Sequence, residues 1–174
     1  MTHFAPDSLV VMGVAGSGKS TLAAALAQRL GRAWVEGDHF HSESSRQKMA
    51  QGLALNDDDR ASWLASLCAQ LQLHPGGVVV ACSALKRSYR DQLRRASPGL
   101  RFAFLGIDKS DASRRVSTRG AHFFATSLVD SQFETLEPPV GEPGVLLLDA
   151  LRPLAELQAE VGAWLQQAQP AAQR

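Results

Sequence analysis

The sequence predicts an α/β fold in which a central parallel sheet carries helices on both of its faces. Short, mostly apolar runs alternate along the 174 residues with segments whose apolar residues recur at helical spacing. Runs that are apolar on both sides are typical of parallel strands covered from above and below, and the alternation implies right-handed crossovers. We therefore predict one three-layer domain over residues 1–174, built on five parallel strands.

Five runs are predicted to be the strands, and four of them are almost entirely apolar. They are Ser8–Gly13, Ala33–Gly37, Val78–Cys82, Arg101–Ile107 and Val145–Asp149. The last strand is expected at an edge of the sheet. Its terminal Asp149 has the form of a magnesium-binding carboxylate, but the edge position favours a structural role or a place in a loop near a nucleotide base.

Three helices are predicted from apolar stripes and end signals. The first spans Lys19–Leu30, the second spans Asp58–Leu73 with Asn56 or Asp57 as its N-cap, and the last begins at Pro153. Aromatic residues on such stripes usually belong to the core. Trp63 and Trp164 are therefore interpreted as core residues.

Composition and charge exclude several classes of protein. The 18 Lys and Arg residues against 17 Asp and Glu residues give a formal net charge of +1, so no basic field favours nucleic acid or an anionic membrane. No run approaches the roughly 18 apolar residues of a membrane helix. Cys68 and Cys82 form no CxxC pair, which indicates free thiols in a reducing compartment. We predict a cytoplasmic protein.

A phosphate-binding motif follows the first strand and opens the first helix. Its residues are Gly13, Val14, Ala15, Gly16, Ser17, Gly18, Lys19 and Ser20, a complete G-x-x-x-x-G-K-S, and Thr21 comes next. Glycines let backbone N–H groups surround a phosphate at a helix N-terminus. Lys19 is expected at the β- and γ-phosphates and the Ser20 hydroxyl on Mg²⁺. The motif predicts an ATP site with Mg²⁺, but switches, motors and kinases all use such a loop. The absence of an N-K-x-D motif argues against a GTPase switch.

Candidate residues for a phosphate acceptor follow the next two strands. Asp38 comes directly after the second strand, where ligands bind in open α/β sheets, although it could also cap a turn. Arg60 ends the run Asp57-Asp58-Asp59-Arg60 at a helix start, where the carboxylates alone would cap the helix and the arginine could anchor a substrate. Lys86 and Arg90 are four residues apart and can share one helix face, as substrate-binding cations or as a solvated surface.

Arginines are concentrated in a segment at about 114–135, which we interpret as a lid inserted in the domain. Arg114, Arg115, Arg119 and His122 lie close together there, next to Gly120 and the pair Phe123–Phe124. A lid of this kind excludes water, which would otherwise hydrolyse ATP, and brings arginine to the γ-phosphate.

Taken together, these motifs resemble the gluconokinase family of P-loop small-molecule kinases. The resemblance runs in family order along nearly the whole chain, over Gly13–Ser20, Gly37–His41, Lys48–Gly52, Leu55–Arg60, Trp63–Leu64, Cys82–Lys86, Tyr89–Arg90, His122–Phe124 and Ser131–Glu137. It implies a nucleoside-kinase-like fold, Mg²⁺, a homodimer and transfer of the ATP γ-phosphate to the 6-hydroxyl of D-gluconate. The alternatives are a kinase for another polyol acid such as shikimate, and a nucleotide-dependent switch without catalysis.

The resemblance also implies roles for individual residues. Lys19 and Ser20 would serve phosphate and metal, and Asp38 would orient or deprotonate the acceptor hydroxyl. His41, Arg60, Lys86 and Arg90 would line the sugar-acid pocket, while Arg115, Arg119 and His122 would belong to the lid, with Arg119 catalytic and Arg115 on the nucleotide.

The chain departs from the family pattern at a few positions. Ser42, Ala54 and Ser62 replace prolines, which affects loop rigidity, and Gly120-Ala121 replaces a Lys-Gly pair in the lid. Ser45 replaces an asparagine, and it is the departure we expect to alter the substrate pocket.

Overall fold

The computed structural model describes residues 8–119 and 126–167. Five strands form one sheet: Leu9–Met12 (β1), Ala33–Glu36 (β2), Val78–Ala81 (β3), Arg101–Gly106 (β4) and Val145–Asp149 (β5). Seven α-helices lie in the described ranges: Lys19–Leu30 (α1), Glu43–Ala50 (α2), Asp57–Leu73 (α3), Arg87–Ala96 (α4), Lys109–Thr118 (α5), Thr126–Thr135 (α6) and Leu154–Gln166 (α7). A short 3₁₀ helix, Gly37–Phe40, follows β2.

All strand pairs are parallel, and the strand order is β2-β3-β1-β4-β5. The five predicted strands are confirmed to within one residue at each end, and β5 lies at an edge as expected. This order places β1, with the phosphate motif at its carboxyl end, in the centre of the sheet. The carboxyl ends of β2 and β3 open onto the same edge, so the loops after the three strands can build one site.

The core consists of two layers separated by the sheet. Val10 and Met12 of β1 face the cluster that packs under α3 and α4, whereas Leu9 and Val11 face the cluster under α1 and α7. All four side chains are fully buried. The alternation along one strand shows why β1 must be apolar on both faces, as the sequence predicts.

The predicted helix ends are confirmed with small shifts. Helix α1 matches its predicted bounds, and α3 begins at Asp57 behind the N-cap Asn56, which forms a capping box with Asp59. Pro153 is the N-cap of α7. Trp63 is 1% exposed and packs in the core, as predicted. Within the described ranges, no helix is both long and apolar enough to span a bilayer. Cys68 and Cys82 are free thiols.

Most of the predicted lid is helical. Helices α5 and α6 pack beside the phosphate motif through a third cluster that includes Val14, Ala112, Val116 and Val129. Residues 120–125, which contain His122, Gly120 and the Phe123–Phe124 pair, lie outside the described residues. The described parts of the lid are therefore joined to the P-loop by apolar contacts.

Candidate active site

A cleft of about 570 Å³ lies at the carboxyl ends of β1, β2 and β3. We call it the cleft below. Its lining comes from the P-loop, the 3₁₀ helix, α2, the start of α3, the residue Ser83 after β3, and the lid helices. Lys19, Ser20, Asp38, His41, Arg60 and Arg119 all line it, so most of the sequence-predicted site residues meet in one place.

The P-loop glycines have the backbone conformations that the motif requires. Gly13, Gly16 and Gly18 all have positive φ, at 152°, 80° and 93°. A Cβ on Gly13 would lie 2.8 Å from Ser17 Oγ and 2.9 Å from the Leu105 carbonyl oxygen. The loop therefore has no room for a side chain at Gly13. Its backbone N–H groups lie next to the N-terminus of α1, where a phosphate can bind.

Lys19 is held inside this loop by the loop's own backbone. Its Nζ donates a hydrogen bond to the Val14 carbonyl oxygen at 3.1 Å. Burial lowers the pKa of the Lys19 ammonium, and the negative charge of Asp38 acts in the opposite direction. A phosphate placed beside this ammonium would supply the negative charge that its buried position lacks.

Ser20 is paired with a carboxylate that sequence reasoning missed. Its Oγ donates to Glu36 Oε2, at the end of β2, and Glu36 Oε1 also accepts from the Asp38 backbone N–H at 3.5 Å. Hydroxyl and carboxylate oxygens are the donors that Mg²⁺ prefers. Among the described residues no cluster of three or more His, Cys, Asp or Glu side chains suits a metal ion. The Ser20–Glu36 pair therefore fits an ion that takes its other ligands from phosphate and water.

Asp38 lies on the 3₁₀ helix beside the P-loop, and His41 follows the end of that helix. The Asp38 side chain is 71% exposed to the cleft side of the molecule, while that of His41 is 8% exposed. The His41 ring stacks on Trp63, with centroids 4.7 Å apart, and Trp63 Nε1 donates to the Gly37 carbonyl oxygen at 2.8 Å. Trp63 is thus a core residue and a wall of the cleft at once.

The surroundings of His41 favour the neutral form of its imidazole. Burial lowers its pKa, Asp38 opposes this effect, and the positive charges of Arg60 and Arg46 lower the pKa further. His41 Nδ1 is buried and has no hydrogen-bond partner among the described residues. A buried polar atom without a partner is costly, so this nitrogen is available to a ligand hydroxyl.

Arg60 is a buried cation that forms no direct ion pair with a carboxylate of the described residues. It is 9% exposed, and its Nη1 donates to Tyr89 Oη at 3.3 Å. No carboxylate oxygen of the described residues lies within 4 Å of its guanidinium. Arg46 also lines the cleft and donates to the His41 and His39 carbonyl oxygens, at 3.2 and 2.7 Å. Sequence reasoning missed Arg46, which belongs to no motif.

Lys86 and Arg90 do not line the cleft, which corrects the expectation that they share a substrate-facing helix surface. Lys86 is the N-cap of α4, and its Nζ pairs with Asp57 at 3.0 Å. Arg90 is fully buried. Its guanidinium pairs with Glu142 and donates to the carbonyl oxygens of Ala84, Leu85 and Glu137, at 2.8, 3.1 and 2.9 Å.

The lid arginines are divided between three surroundings. Arg119 lines the cleft. Arg115 donates to the Gly16 carbonyl oxygen at 3.2 Å and to the Ala150 carbonyl oxygen at 3.1 Å, so it joins the P-loop to the loop after β5. Arg114 pairs with Asp111 on the exposed side of α5. Asp149 accepts from the Leu151 N–H at 2.9 Å, a turn contact that agrees with the structural role predicted for it.

Ser45 does not line the cleft, contrary to what its departure from the family pattern suggested. It is 1% exposed, and its Oγ accepts a hydrogen bond from Ser42 Oγ at 3.0 Å. Ser42 is the N-cap of α2. The two serines therefore form a cap for α2, and the change at position 45 affects a helix end.

Gln132 of α6 is a further cleft residue without a predicted role. Its Oε1 accepts a hydrogen bond from the Ala15 backbone N–H at 2.6 Å, across 117 residues of sequence. The sequence places Gln132 in a motif shared with the family but gives no sign of this contact.

Comparisons with known proteins agree with the site. A family profile described as an AAA domain matches residues 9–139. The thermoresistant gluconokinase of Escherichia coli strain K12 is 43% identical over 83% of this chain and 85% of its own length. A gluconokinase of Gluconobacter oxydans strain 621H is 44% identical over 81% of both chains.

A solved structure extends the similarity to the fold. The crystal structure of a gluconokinase from Sinorhizobium meliloti 1021 superimposes with a TM-score of 0.85, at 46% identity over 92% of each chain. Similarity at this level, over most of each chain, confirms the resemblance that the motifs indicate, and the chain belongs to the gluconokinase family.

Proposed function

We propose that this protein is a phosphotransferase that moves the γ-phosphoryl group of ATP to the 6-hydroxyl of D-gluconate. The observation that carries the proposal is one cleft with a P-loop, an acceptor-side carboxylate and a buried arginine that lacks a carboxylate partner among the described residues. The P-loop suits ATP, the carboxylate suits an acceptor hydroxyl, and the arginine suits the carboxylate of a sugar acid. The gluconokinases that the chain resembles support this choice of acceptor.

On the nucleotide side, the residues Gly13, Val14, Ala15, Gly16, Ser17, Gly18, Lys19, Ser20 and Thr21 would bind the phosphates. The Ser17 hydroxyl is buried under the loop beside Gly13, so Ser17 would contribute through its backbone. Arg115 would fix the loop through the Gly16 carbonyl, and Arg119 would stabilise the charge on the transferred group. His122, which lies outside the described residues, would bind the substrate from the lid segment, as the family resemblance implies.

Ser20 would bind Mg²⁺, which when bound neutralises charge on the β- and γ-phosphates, and Glu36 would lie in the outer shell of the ion. The short contact between the two side chains shows that a hydroxyl and a carboxylate already face each other there. Glu36 would accept hydrogen bonds from the water shell of the ion, in the way that outer carboxylates orient metal ligands.

On the acceptor side, Asp38 would accept the proton of the 6-hydroxyl as the oxygen bonds to phosphorus. The bond from phosphorus to the ADP oxygen breaks in the same step, so the products are 6-phosphogluconate and ADP. His41 would bind a sugar hydroxyl through its unpartnered Nδ1, and Arg60 and Arg46 would bind the carboxylate. Lys86 would act through Asp57 and Arg90 through the loop after β3, as positioning residues.

The acceptor is tested by measuring ADP release with MgATP against D-gluconate, shikimate, related sugar acids and no acceptor. We expect turnover with D-gluconate and only background without acceptor. Lys19→Ala is the inactive control, with a loss of roughly 10²-fold or more because it removes a phosphate contact. Turnover with another acid only would overturn the choice of gluconate. ATP binding without any acceptor-dependent turnover would favour a nucleotide switch.

The role of Asp38 is tested by Asp38→Asn, which keeps the size of the side chain and removes its basicity. We expect kcat to fall roughly 10²-fold or more, the range of general base catalysis, with the Kd for ATP unchanged. Activity and ATP binding by calorimetry are compared on the same preparation. A weaker Kd for ATP with an unchanged kcat would assign Asp38 to the nucleotide side.

The homodimer and the cytoplasmic location implied by the sequence remain predictions. Trp34 on the edge strand β2 is 46% exposed, an apolar edge that a second copy could cover. Light scattering on the purified protein tests the dimer, and a monomer at micromolar concentration would overturn it.

A further inference from the structure

Gln132 links the lid helix α6 to the P-loop by a direct hydrogen bond. The Ala15 N–H, which donates to Gln132 Oε1 at 2.6 Å, lies in the first half of the phosphate motif. Lys19 Nζ donates to the carbonyl oxygen of Val14, the residue directly before Ala15. Gln132 therefore contacts the residue next to Val14, which Lys19 also contacts.

This hydrogen bond fixes which end of the Gln132 amide faces the cleft. A carboxamide has one acceptor oxygen and one donor nitrogen, and the oxygen is occupied by Ala15. Nε2 has no hydrogen bond to any described residue, and it is not among the buried polar atoms that lack a partner. Because Gln132 lines the cleft, its NH₂ group is open to it.

The position of Gln132 is fixed by the packing of α6. Val129, one turn earlier on α6, is fully buried against the cluster that contains Val14 of the P-loop. Phe133 and Leu136 pack against the same cluster. A donor on a helix anchored in this way is preorganised, which is what stabilisation of developing charge requires.

Gln132 also differs in charge from Lys19 and Arg119, the donors of the cleft proposed to act on the phosphates. Lys19 and Arg119 are cations, while the Gln132 NH₂ group is neutral and donates without adding charge. We propose that Gln132 binds the transferred phosphoryl group, with Nε2 donating to a γ-phosphoryl oxygen while Oε1 holds the Ala15 N–H. This inference rests on the proposed kinase function, since it needs a γ-phosphate in the cleft.

The decisive variant is Gln132→Glu, which keeps the side-chain shape and the acceptor for Ala15. It replaces the donor group with a negative oxygen next to the phosphate. We expect kcat with D-gluconate to fall roughly 10²-fold, the cost of losing one such donor. If Gln132 only holds the Ala15 N–H and lies away from the γ-phosphate, activity should stay close to wild type, because a carboxylate accepts that hydrogen bond at least as well. The neutral variant Gln132→Met separates loss of the donor from charge repulsion.

Nucleotide binding gives a second readout that does not depend on turnover. Gln132→Glu should weaken binding of a non-hydrolysable ATP analogue about tenfold and leave ADP binding unchanged, because ADP has no γ-phosphate. Gln72→Glu adds the same charge on the exposed end of α3 and should change neither value. Equal losses for both nucleotides, or a kcat within about threefold of wild type, would overturn the proposal.

A second variant covers the case in which Gln132→Glu does not fold. Gln132→Met keeps a helix-forming side chain of similar length without donor, acceptor or charge, and it should also lower kcat while ADP still binds. Wild type is measured first. If wild type shows no gluconate-dependent turnover, the proposed function fails, whereas an active wild type with an unaffected Gln132→Met overturns only the role of Gln132.

Discussion

Arg60 and Arg90 are two buried arginines with opposite surroundings. Arg60 lines the cleft and has no carboxylate oxygen within 4 Å among the described residues, whereas Arg90 is fully buried beside Glu142 and lies away from the cleft. In sequence, both are candidate substrate-binding cations, Arg60 at the start of a helix and Arg90 shortly after the third strand. The difference indicates that a buried cation is available to a substrate when no carboxylate of the protein pairs with it directly. The position of an arginine along the chain does not reveal whether such a partner exists.

The surroundings of Arg90 explain what it does in place of binding a ligand. Its Nη1 donates to the carbonyl oxygens of Ala84 and Leu85, in the loop that continues from the cleft residue Ser83. Ala84 has a φ of 45°, a conformation that costs a non-glycine residue energy. Glu142 holds the guanidinium, and the guanidinium holds this strained loop.

Removing Glu142 tests directly whether Arg90 depends on its counter-charge, and we expect it to have the largest effect on stability. Glu142→Ala leaves the buried Arg90 without its carboxylate, which costs about 3–5 kcal/mol of unfolding free energy. Urea or thermal unfolding measures the loss. The matched control is Glu156→Ala, which removes an exposed partner of Arg152 and should cost under about 1 kcal/mol. Equal losses for the two variants would show that Arg90 does not depend on its counter-charge.

Acid should weaken the same pair. Burial alone would raise the pKa of Glu142, but hydrogen bonds from Arg90 and Arg94 and their positive charges outweigh it and lower the pKa to about 2. Because the folded pKa lies below the unfolded value near 4.5, the stabilisation is present above about pH 4.5 and is lost as pH falls toward 2.

This acid dependence is measured by unfolding at several pH values, with Glu142→Gln as the variant that cannot titrate at this position. The free energy of unfolding of wild type should fall more steeply between about pH 4.5 and 2 than that of Glu142→Gln. Parallel curves would mean that other carboxyl groups account for the whole acid effect.

The comparison also shows how far sequence reasoning reaches. The P-loop from Gly13 to Ser20 is contiguous, so its conformation and the start of α1 could be predicted from spacing alone, as could the Asn56 cap. The pairing of Arg90 with Glu142 joins residues 52 apart, and that of Ala15 with Gln132 joins residues 117 apart. A local motif predicts the backbone geometry of a contiguous segment. A long-range pair depends on how the layers of the fold pack, and these pairs determine which charged side chains remain without a direct partner.

Arg60 gives the remaining test, with the smallest expected effect. Arg60→Gln should raise KM for D-gluconate about tenfold, because one charge-assisted hydrogen bond to the substrate carboxylate is lost. The KM for ATP should stay the same, since the change lies on the acceptor side of the cleft. Stability should fall far less than in Glu142→Ala, because Arg60 gives up one hydrogen bond, to Tyr89 Oη, and no ion pair.

Arg87→Gln is the matched control for Arg60→Gln, because it removes an exposed guanidinium at the start of α4 that pairs with Asp91 at 3.8 Å. Steady-state kinetics with each substrate varied in turn, together with a thermal melt, separates binding from folding. A KM for ATP that rises as much as that for gluconate, or a stability loss as large as that of Glu142→Ala, would make Arg60 a structural arginine like Arg90. A selective rise in KM for gluconate would show that Arg60, which has no direct carboxylate partner, binds substrate, whereas Arg90, which is paired with Glu142, is structural.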